Sequence, residues 1–186
     1  VVAVLMDNRI EYLVACMGAN KIGVVSALIN THVAGIQLSH ALRICEPSFI
    51  LLGSEHIDNV RGLGDEVPVA ANRVLMMRDG DNRAQLPGAV DFDAVIDAAP
   101  AHNPEQTKQQ SIHDPFVYIY TSGTTGLPKG VMLSHANIVS NVLAASRVFA
   151  KVLGPDDLAL SFLPLCHIFE RMAGYYVVLL LGGAIA

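Results

Sequence analysis

Short, β-branched apolar runs alternate along this chain with longer stretches whose apolar residues recur at helical spacing. "VVAVLM", Val1 to Met6, reads as a strand. Glu11 to Ile22 then sets Tyr12, Leu13, Cys16, Met17 and Ala19 on a helical period that stops at Gly23. "VVSALI" is a second strand, a helix from about Gly35 to Cys45 stops ahead of Pro47, "FILLG" is a third strand, and "RVLMM" from Arg73 a fourth. This order is that of βαβ units, so the expected fold class is α/β with a largely parallel sheet flanked by helices.

From Pro100 to Pro115 the text becomes polar and loses its period, which marks a surface connection. "FVYIY" follows as a buried strand and delivers the chain into "YTSGTTGLPKG", Tyr120 to Gly130. After it come "GVMLS", a short extended piece, and a helix from about His135 to Lys151 with Ser134 as N-cap. "LALSFL" is a further strand, broken by Pro164, and Cys166 to Leu181 reads as a helix ended by Gly182. Open α/β sheets bind ligands beyond the carboxyl ends of their strands. Two loops have that position here, Thr121 to Gly130 and Leu163 to Phe169.

Composition narrows the function. The chain of 186 residues is 52% hydrophobic and only 16% charged, with 12 basic against 17 acidic residues, net −5. That balance gives no electrostatic footprint for nucleic acid, so any phosphate bound here must be held locally. The 3 cysteines, Cys16, Cys45 and Cys166, are widely spaced and form no C-x-x-C pair, which points away from a disulfide framework or a zinc site and towards a reducing, cytoplasmic compartment. The longest apolar run, Val177 to Leu181, is far below the ~20 residues that span a bilayer, so no transmembrane segment is expected, and a peripheral association with membrane stays open. Val1 opens directly on a strand-like run, and another begins just before Ala186, so the chain is expected to be a piece of a longer protein.

The loop after "FVYIY" carries the chemistry. Aligned to the Walker A pattern from Gly123, it has its lysine in register at Lys129, but Pro128 stands where the second glycine belongs and Gly130 replaces the Ser/Thr. Proline offers no N–H to a phosphate, and the hydroxyl that would hold Mg²⁺ after the lysine is missing. What the loop does have is Thr121, Ser122, Thr124 and Thr125 as hydroxyl donors, Gly123 and Gly126 for close backbone approach, and Lys129 as a flexible cation. An arbitrary Gly/Ser/Thr loop is a bare turn; this one, in this order after a buried strand, reads as a clamp for a polyphosphate that must leave.

"YTSGTTGLPKG" resembles the signature of the adenylate-forming, or acyl-activating, superfamily. "FLPLCHIFERM", Phe162 to Met172, is similar to the second substrate-site segment of long-chain fatty acyl-CoA synthetases, and "ANKIGVVSALINTH", Ala19 to His32, resembles an N-terminal segment of very-long-chain synthetases and fatty acid transport proteins. The resemblance implies an AMP-binding domain, with residues 1–186 as part of its large N-terminal portion, a connection at 100–115 and the phosphate loop at 120–130. It implies ATP, Mg²⁺ and coenzyme A as cofactors and a fatty acid as substrate. The carboxylate would attack the α-phosphorus of ATP, and a thiol would then take the acyl group from the adenylate. Ser122, Gly123, Thr124, Thr125, Gly126 and Lys129 would hold the β- and γ-phosphates, with Lys129 acting catalytically, and Thr121 would also give an oxygen to Mg²⁺. His167 would border the reacting carboxylate, while Ile168, Phe169 and Met172 would line the acyl channel. For Phe169 and Met172 an ordinary core face explains the pattern equally well.

Other constellations carry less. His167 and Glu170 lack a third metal ligand, which leaves Glu170 as a surface or gate residue. Cys166 and His167 are sequence neighbours on a helix and face apart. "DGDN" at Asp79 to Asn82 fails as a calcium loop, and Asp91, Asp93 and Asp97 read as a solvated face. By the same resemblance, the acidic Mg²⁺ ligand, the ribose-binding Asp and the catalytic lysine of a small C-terminal domain lie beyond residue 186. Residues 1–186 alone are thus expected to be inactive. Two rival functions share these features: a fatty-acyl-AMP ligase that loads a carrier protein, and a membrane-associated fatty acid uptake or binding protein.

Overall fold

The computed structural model describes residues 1–80, 84–122 and 126–186, with the backbone alone at 108 and 122. Its strands are β1 (Val2–Leu5), β2 (Ser26–Leu28), β3 (Phe49–Gly53), β4 (Val74–Met77), β5 (Val90–Asp91), β6 (Pro115–Ser122), β7 (Pro128–Ser134), β8 (Leu158–Ala159) and β9 (Ala184–Ile185). The α-helices are α1 (Ile10–Lys21), α2 (Gly35–Ile44), α3 (Ile57–Arg61), α4 (Phe92–Asp97), α5 (His135–Phe149) and α6 (Val177–Leu180). A π-helix, Glu170–Tyr176, runs directly into α6.

Seven strands form one sheet in the order β5-β4-β3-β1-β2-β6-β7. Every pairing is parallel except β6 with β7, a hairpin whose register sets Tyr120 opposite Gly130 and Thr121 opposite Lys129. A sheet buried on both faces needs apolar residues at every position, which is why β1 is continuous "VAVL" and buried throughout. The two-residue period of a strand then divides the core. Val2, Val4, Leu51, Val117 and Ile119 pack with Tyr12 and Cys16 of α1, Ile138 and Val142 of α5, and the π-helix. Ala3, Leu5, Ile50, Leu52 and Tyr120 pack with Leu38, Ala41 and Leu42 of α2 and Ile57 and Val60 of α3.

The sequence pattern finds most of these elements, and the structure corrects several. β2 is confined to Ser26–Leu28, while α3, β5 and α4 lack enough periodic apolar residues to announce themselves. "GVMLS" belongs to a longer strand, β7, that pairs antiparallel at the sheet edge, where Pro128 removes no needed ladder bond. "LALSFL" is not a strand of the main sheet. Only Leu158–Ala159 pairs, with β9 in a separate ribbon, and Leu158, Leu160 and Phe162 are 69%, 72% and 73% exposed. Its alternation is genuine, but those apolar positions meet no core among the described residues. The helix expected from Cys166 begins at Ile168 and takes the π form at Glu170. Ser134 does cap α5, in a reciprocal box with Asn137. Among the described residues no helix is long and apolar enough to cross a membrane.

Candidate active site

A cavity of about 450 Å³ opens beyond the carboxyl ends of β2 and β6. Its walls come from three directions. Ile119, Tyr120 and Thr121 of β6, with Gly126 and Pro128 across the hairpin, form one side; Asn30, Val33, Gln37 and Ala41, from the end of β2 and from α2, form the second; His167, Ile168 and Phe169, at the start of the last helix, form the third. The two loops singled out in the sequence therefore meet in one hollow, although only one of them follows a strand of the main sheet.

Each wall has a physical anchor. Tyr120 turns its hydroxyl to the other face of the sheet and donates to Ala41 O at 2.9 Å, which ties β6 to α2; burial pushes this phenol's pKa up, so it stays a neutral donor. Gly126 adopts φ +80°, a left-handed conformation that suits glycine, and its carbonyl accepts from Gln37 Nε2 at 3.3 Å. Asn8, just past β1, donates to Leu163 O at 2.7 Å and accepts from Leu165 N at 2.8 Å, drawing the segment before His167 onto the sheet's end. Asn8, Gln37 and Ala41 carry no motif, and only their placement beside the loop reveals them.

The third wall is held from behind by two buried charged residues. Glu170, read from the sequence as a surface or gate residue, is 4% exposed and accepts from Ser161 Oγ at 2.7 Å. Arg171 is buried among aromatic rings, its guanidinium 5.1, 5.7 and 5.8 Å from the ring centres of Tyr12, Tyr175 and Tyr176. Its Nε and Nη1 have no hydrogen-bond partner among the described residues, so aromatic faces supply much of its stabilisation. The Arg171 N–H donates to His167 O at 3.1 Å, which couples this cage to the cavity wall. π-Helical turns are rare and concentrate at functional sites.

The remaining candidates are placed as follows. Thr121 is exposed and lines the cavity. Lys129 is exposed on β7 directly across from Thr121, on the same face of the hairpin but outside the cavity lining. Ser122 ends β6, its side chain lying outside the described residues, as do Gly123, Thr124 and Thr125. Met172 is buried in the core and, with Ile168, borders a second hollow against α5 rather than the cavity holding His167.

The crevice beyond β1 and β3, where the chain's crossovers diverge to opposite sides, is filled by its own side chains. Arg9 pairs with Glu55 at 3.2 Å and with Asp79 at 3.1 Å, and His56 Nε2 lies 3.0 Å from Asp7 Oδ1. Asp7, Glu55 and His56 have ligand atoms within 4.8 Å of one another, yet all three are engaged in these bonds. Asp81 and Asn82 of the "DGDN" stretch lie outside the described residues. Asp91 and Asp93, read as merely solvated, both engage Arg78, and Asp91 also caps α4.

The family described as AMP-binding enzyme matches residues 1–186. The chain is 31% identical, over 100% of its length and 34% of the relative's, to 4-coumarate--CoA ligase 2 of Oryza sativa subsp. japonica. It is 29% identical to fatty acyl-CoA synthetase A of Dictyostelium discoideum, over 91% of this chain and 26% of that one. ATP-bound MatB from Rhodopseudomonas palustris shares the fold, with a TM-score of 0.79 at 24% identity over 99% of this chain and 34% of that one. The chain thus spans between a quarter and about a third of the length of these relatives.

Proposed function

The chain belongs to the AMP-binding enzyme family, and from that premise we propose that the protein carrying it uses ATP to convert a fatty acid to its acyl-adenylate and then to acyl-CoA. The observation that carries this reading is the single cavity joining the base of the hydroxyl- and glycine-rich loop to His167, Ile168 and Phe169. A carboxylate lying along the third wall would meet the α-phosphorus of a nucleotide whose β- and γ-phosphates lie in the loop. A new bond forms from carboxylate oxygen to phosphorus, pyrophosphate leaves, and a thiolate then displaces AMP from the acyl carbon. Such chemistry asks the protein chiefly for position and for donors at the phosphates.

Thr121 and Lys129, opposite each other on the hairpin, supply one hydroxyl and one cation at the mouth of the loop. No carboxylate is among the cavity-lining residues described, so a Mg²⁺ ion would arrive with the phosphates and its waters and take one oxygen from Thr121. Coenzyme A has no assignable contact among these residues. The acids printed in the relatives' names are aromatic in one case and fatty in the other, and carboxylate activation is common to both. The apolar side chains of Ile168 and Phe169, 41% and 67% exposed on the third wall, favour a fatty chain. On this reading residues 1–186 are part of an N-terminal AMP-binding domain. The buried free thiols of Cys16, Cys45 and Cys166 suit a reducing cytoplasm.

The test is ATP–pyrophosphate exchange by the full-length protein over straight-chain acids of increasing length, followed by addition of coenzyme A. Exchange that depends on a fatty acid, with thioester formed afterwards, is the expected result. Exchange with aromatic acids alone would remove the fatty substrate from the proposal. Adenylate formed without thioester would remove coenzyme A as acceptor.

A further inference from the structure

Two side chains of α2, Gln37 in the cavity wall and His40 one turn further on, meet the returning limb of the loop. Gln37 Nε2 donates to Gly126 O at 3.3 Å, and His40 Nε2 lies 3.1 Å from Pro128 O. A carbonyl oxygen only accepts, so His40 must carry its proton on Nε2 in this contact. The pair stands at i and i+3 on one face of a helix that Leu38 and Leu42, neither exposed to solvent, fix in the core from another side. Tyr120 is bonded to Ala41 of the same helix, so α2 grips the hairpin on both sides of the loop, on β6 before it and at Gly126 and Pro128 after it.

Gln37 is itself exposed, and this grip is not needed to close the core. Its effect falls on the peptide planes between Gly126 and Lys129. Because the carbonyl and N–H of a trans peptide point in opposite directions, pulling Gly126 O towards α2 turns the Leu127 N–H away from it. The orientation of that limb, and the place from which Lys129 extends, are therefore set by two side chains outside the loop.

We propose that Gln37 and His40 are positioning residues that hold the Gly126–Lys129 limb in its nucleotide-binding position, and so set affinity for the nucleotide's phosphates without touching them. The proposal rests on the nucleotide reading above. Two neutral hydrogen bonds of ordinary strength limit the effect to about 30-fold if fully expressed, and about tenfold is expected.

The experiment compares the full-length protein with Gln37→Met/His40→Phe, which keeps bulk and removes both donors, and with His40→Gln, whose amide nitrogen replaces Nε2. Three quantities are read: the Kd of a non-hydrolysable ATP analogue with Mg²⁺, the Kd of a long-chain fatty acid, and amide hydrogen exchange across residues 126–130. The double variant is expected to bind the analogue about tenfold more weakly and to exchange faster at 126–130, with fatty acid affinity and melting temperature retained. His40→Gln is expected to stay close to the parent. Unchanged nucleotide affinity in the double variant overturns the proposal. So does an equal loss of nucleotide and fatty acid affinity accompanied by a lower melting temperature, which is the mark of a merely structural role. If the parent itself fails to bind the analogue, the nucleotide reading falls, and exchange alone decides whether α2 holds the limb: faster exchange upholds the grip and unchanged exchange overturns it.

Discussion

Replacing Gly174 by Ala should destabilise the protein, although the same change at Gly18 should stabilise it. Both glycines lie inside helical segments, and an alanine in a helix interior is favoured over glycine by about 0.5–1 kcal/mol. At Gly18 a Cβ would meet nothing within 4 Å, so the full gain is expected. At Gly174 it would meet Glu170 Cδ at 2.6 Å and Oε2 at 2.9 Å, with Oε1 nearer still. The carboxyl must then swing off Ser161, losing a hydrogen bond to a buried acid worth about 1.5–3 kcal/mol. Subtracting the helix-propensity gain leaves a net loss of about 1–2 kcal/mol, or a melting temperature lower by roughly 2–8 °C. Equilibrium urea denaturation measures both variants, and Ser161→Ala provides the control. Once Ser161 is gone, adding Gly174→Ala should cost much less than it does alone. A midpoint that rises for Gly174→Ala as it does for Gly18→Ala would refute the claim that the Glu170 carboxyl is held against Gly174 by a stabilising bond from Ser161.

Three further outcomes test other parts of the structure. Lys129→Ala in the full-length protein should reduce fatty-acid-dependent pyrophosphate exchange by about a hundredfold, and unchanged exchange would take the lysine out of the phosphate clamp. Tyr120→Phe removes the bond to Ala41 and should cost about 1 kcal/mol in urea denaturation; a neutral result would mean that packing alone seats β6 on α2. Asp91 is held below the ordinary carboxylate range by its hydrogen bond from Arg78 and by the Ala94 N–H, so the stability it gives is present above its unfolded pKa and is lost as pH falls through the folded value. Asp91→Asn should therefore flatten the acid limb of a melting-temperature profile below about pH 4 and leave the slope at pH 6–8 unchanged.

The sheet was legible because burial on both faces forces continuous apolar runs, and β1, β3, β4 and β6 carry them. α3 and α4 were not, being held by their neighbours rather than by their own periodicity, with α4 resting on the Asp91 cap. In the site, the loop announced itself through glycines and hydroxyls at fixed spacing. Asn8, Gln37 and His40 did not, because each works only through one or two hydrogen bonds to backbone groups of residues at least 88 positions away. Single-sequence patterns have no term for such a bond. Glu170 was misplaced for a related reason: a charged residue reads as solvent-facing unless the sequence shows its partner, and Ser161 is nine positions upstream in a segment without regular structure.

The location of the cavity follows from what fills the crevice beside it. In a sheet ordered like this one, the gap beyond β1 and β3 is the expected ligand site, since connections leave it in opposite directions. Here Arg9 and Glu55, each with a side chain only 13% exposed, lock that gap, and removing one partner of so desolvated a pair costs about 3–5 kcal/mol when the other stays buried. A ligand entering there would have to offset that loss before gaining anything. Among the described residues the end of β2 carries no such ion pair: Asn30 and Val33 are followed by α2, whose exposed Gln37 faces the hairpin. Asn8 stands between the two regions and uses its amide to bring Leu163 and Leu165 over the sheet. The closed crevice thus contributes to the open one, because the strand end that anchors Arg9 also positions the residue that draws His167 towards the loop.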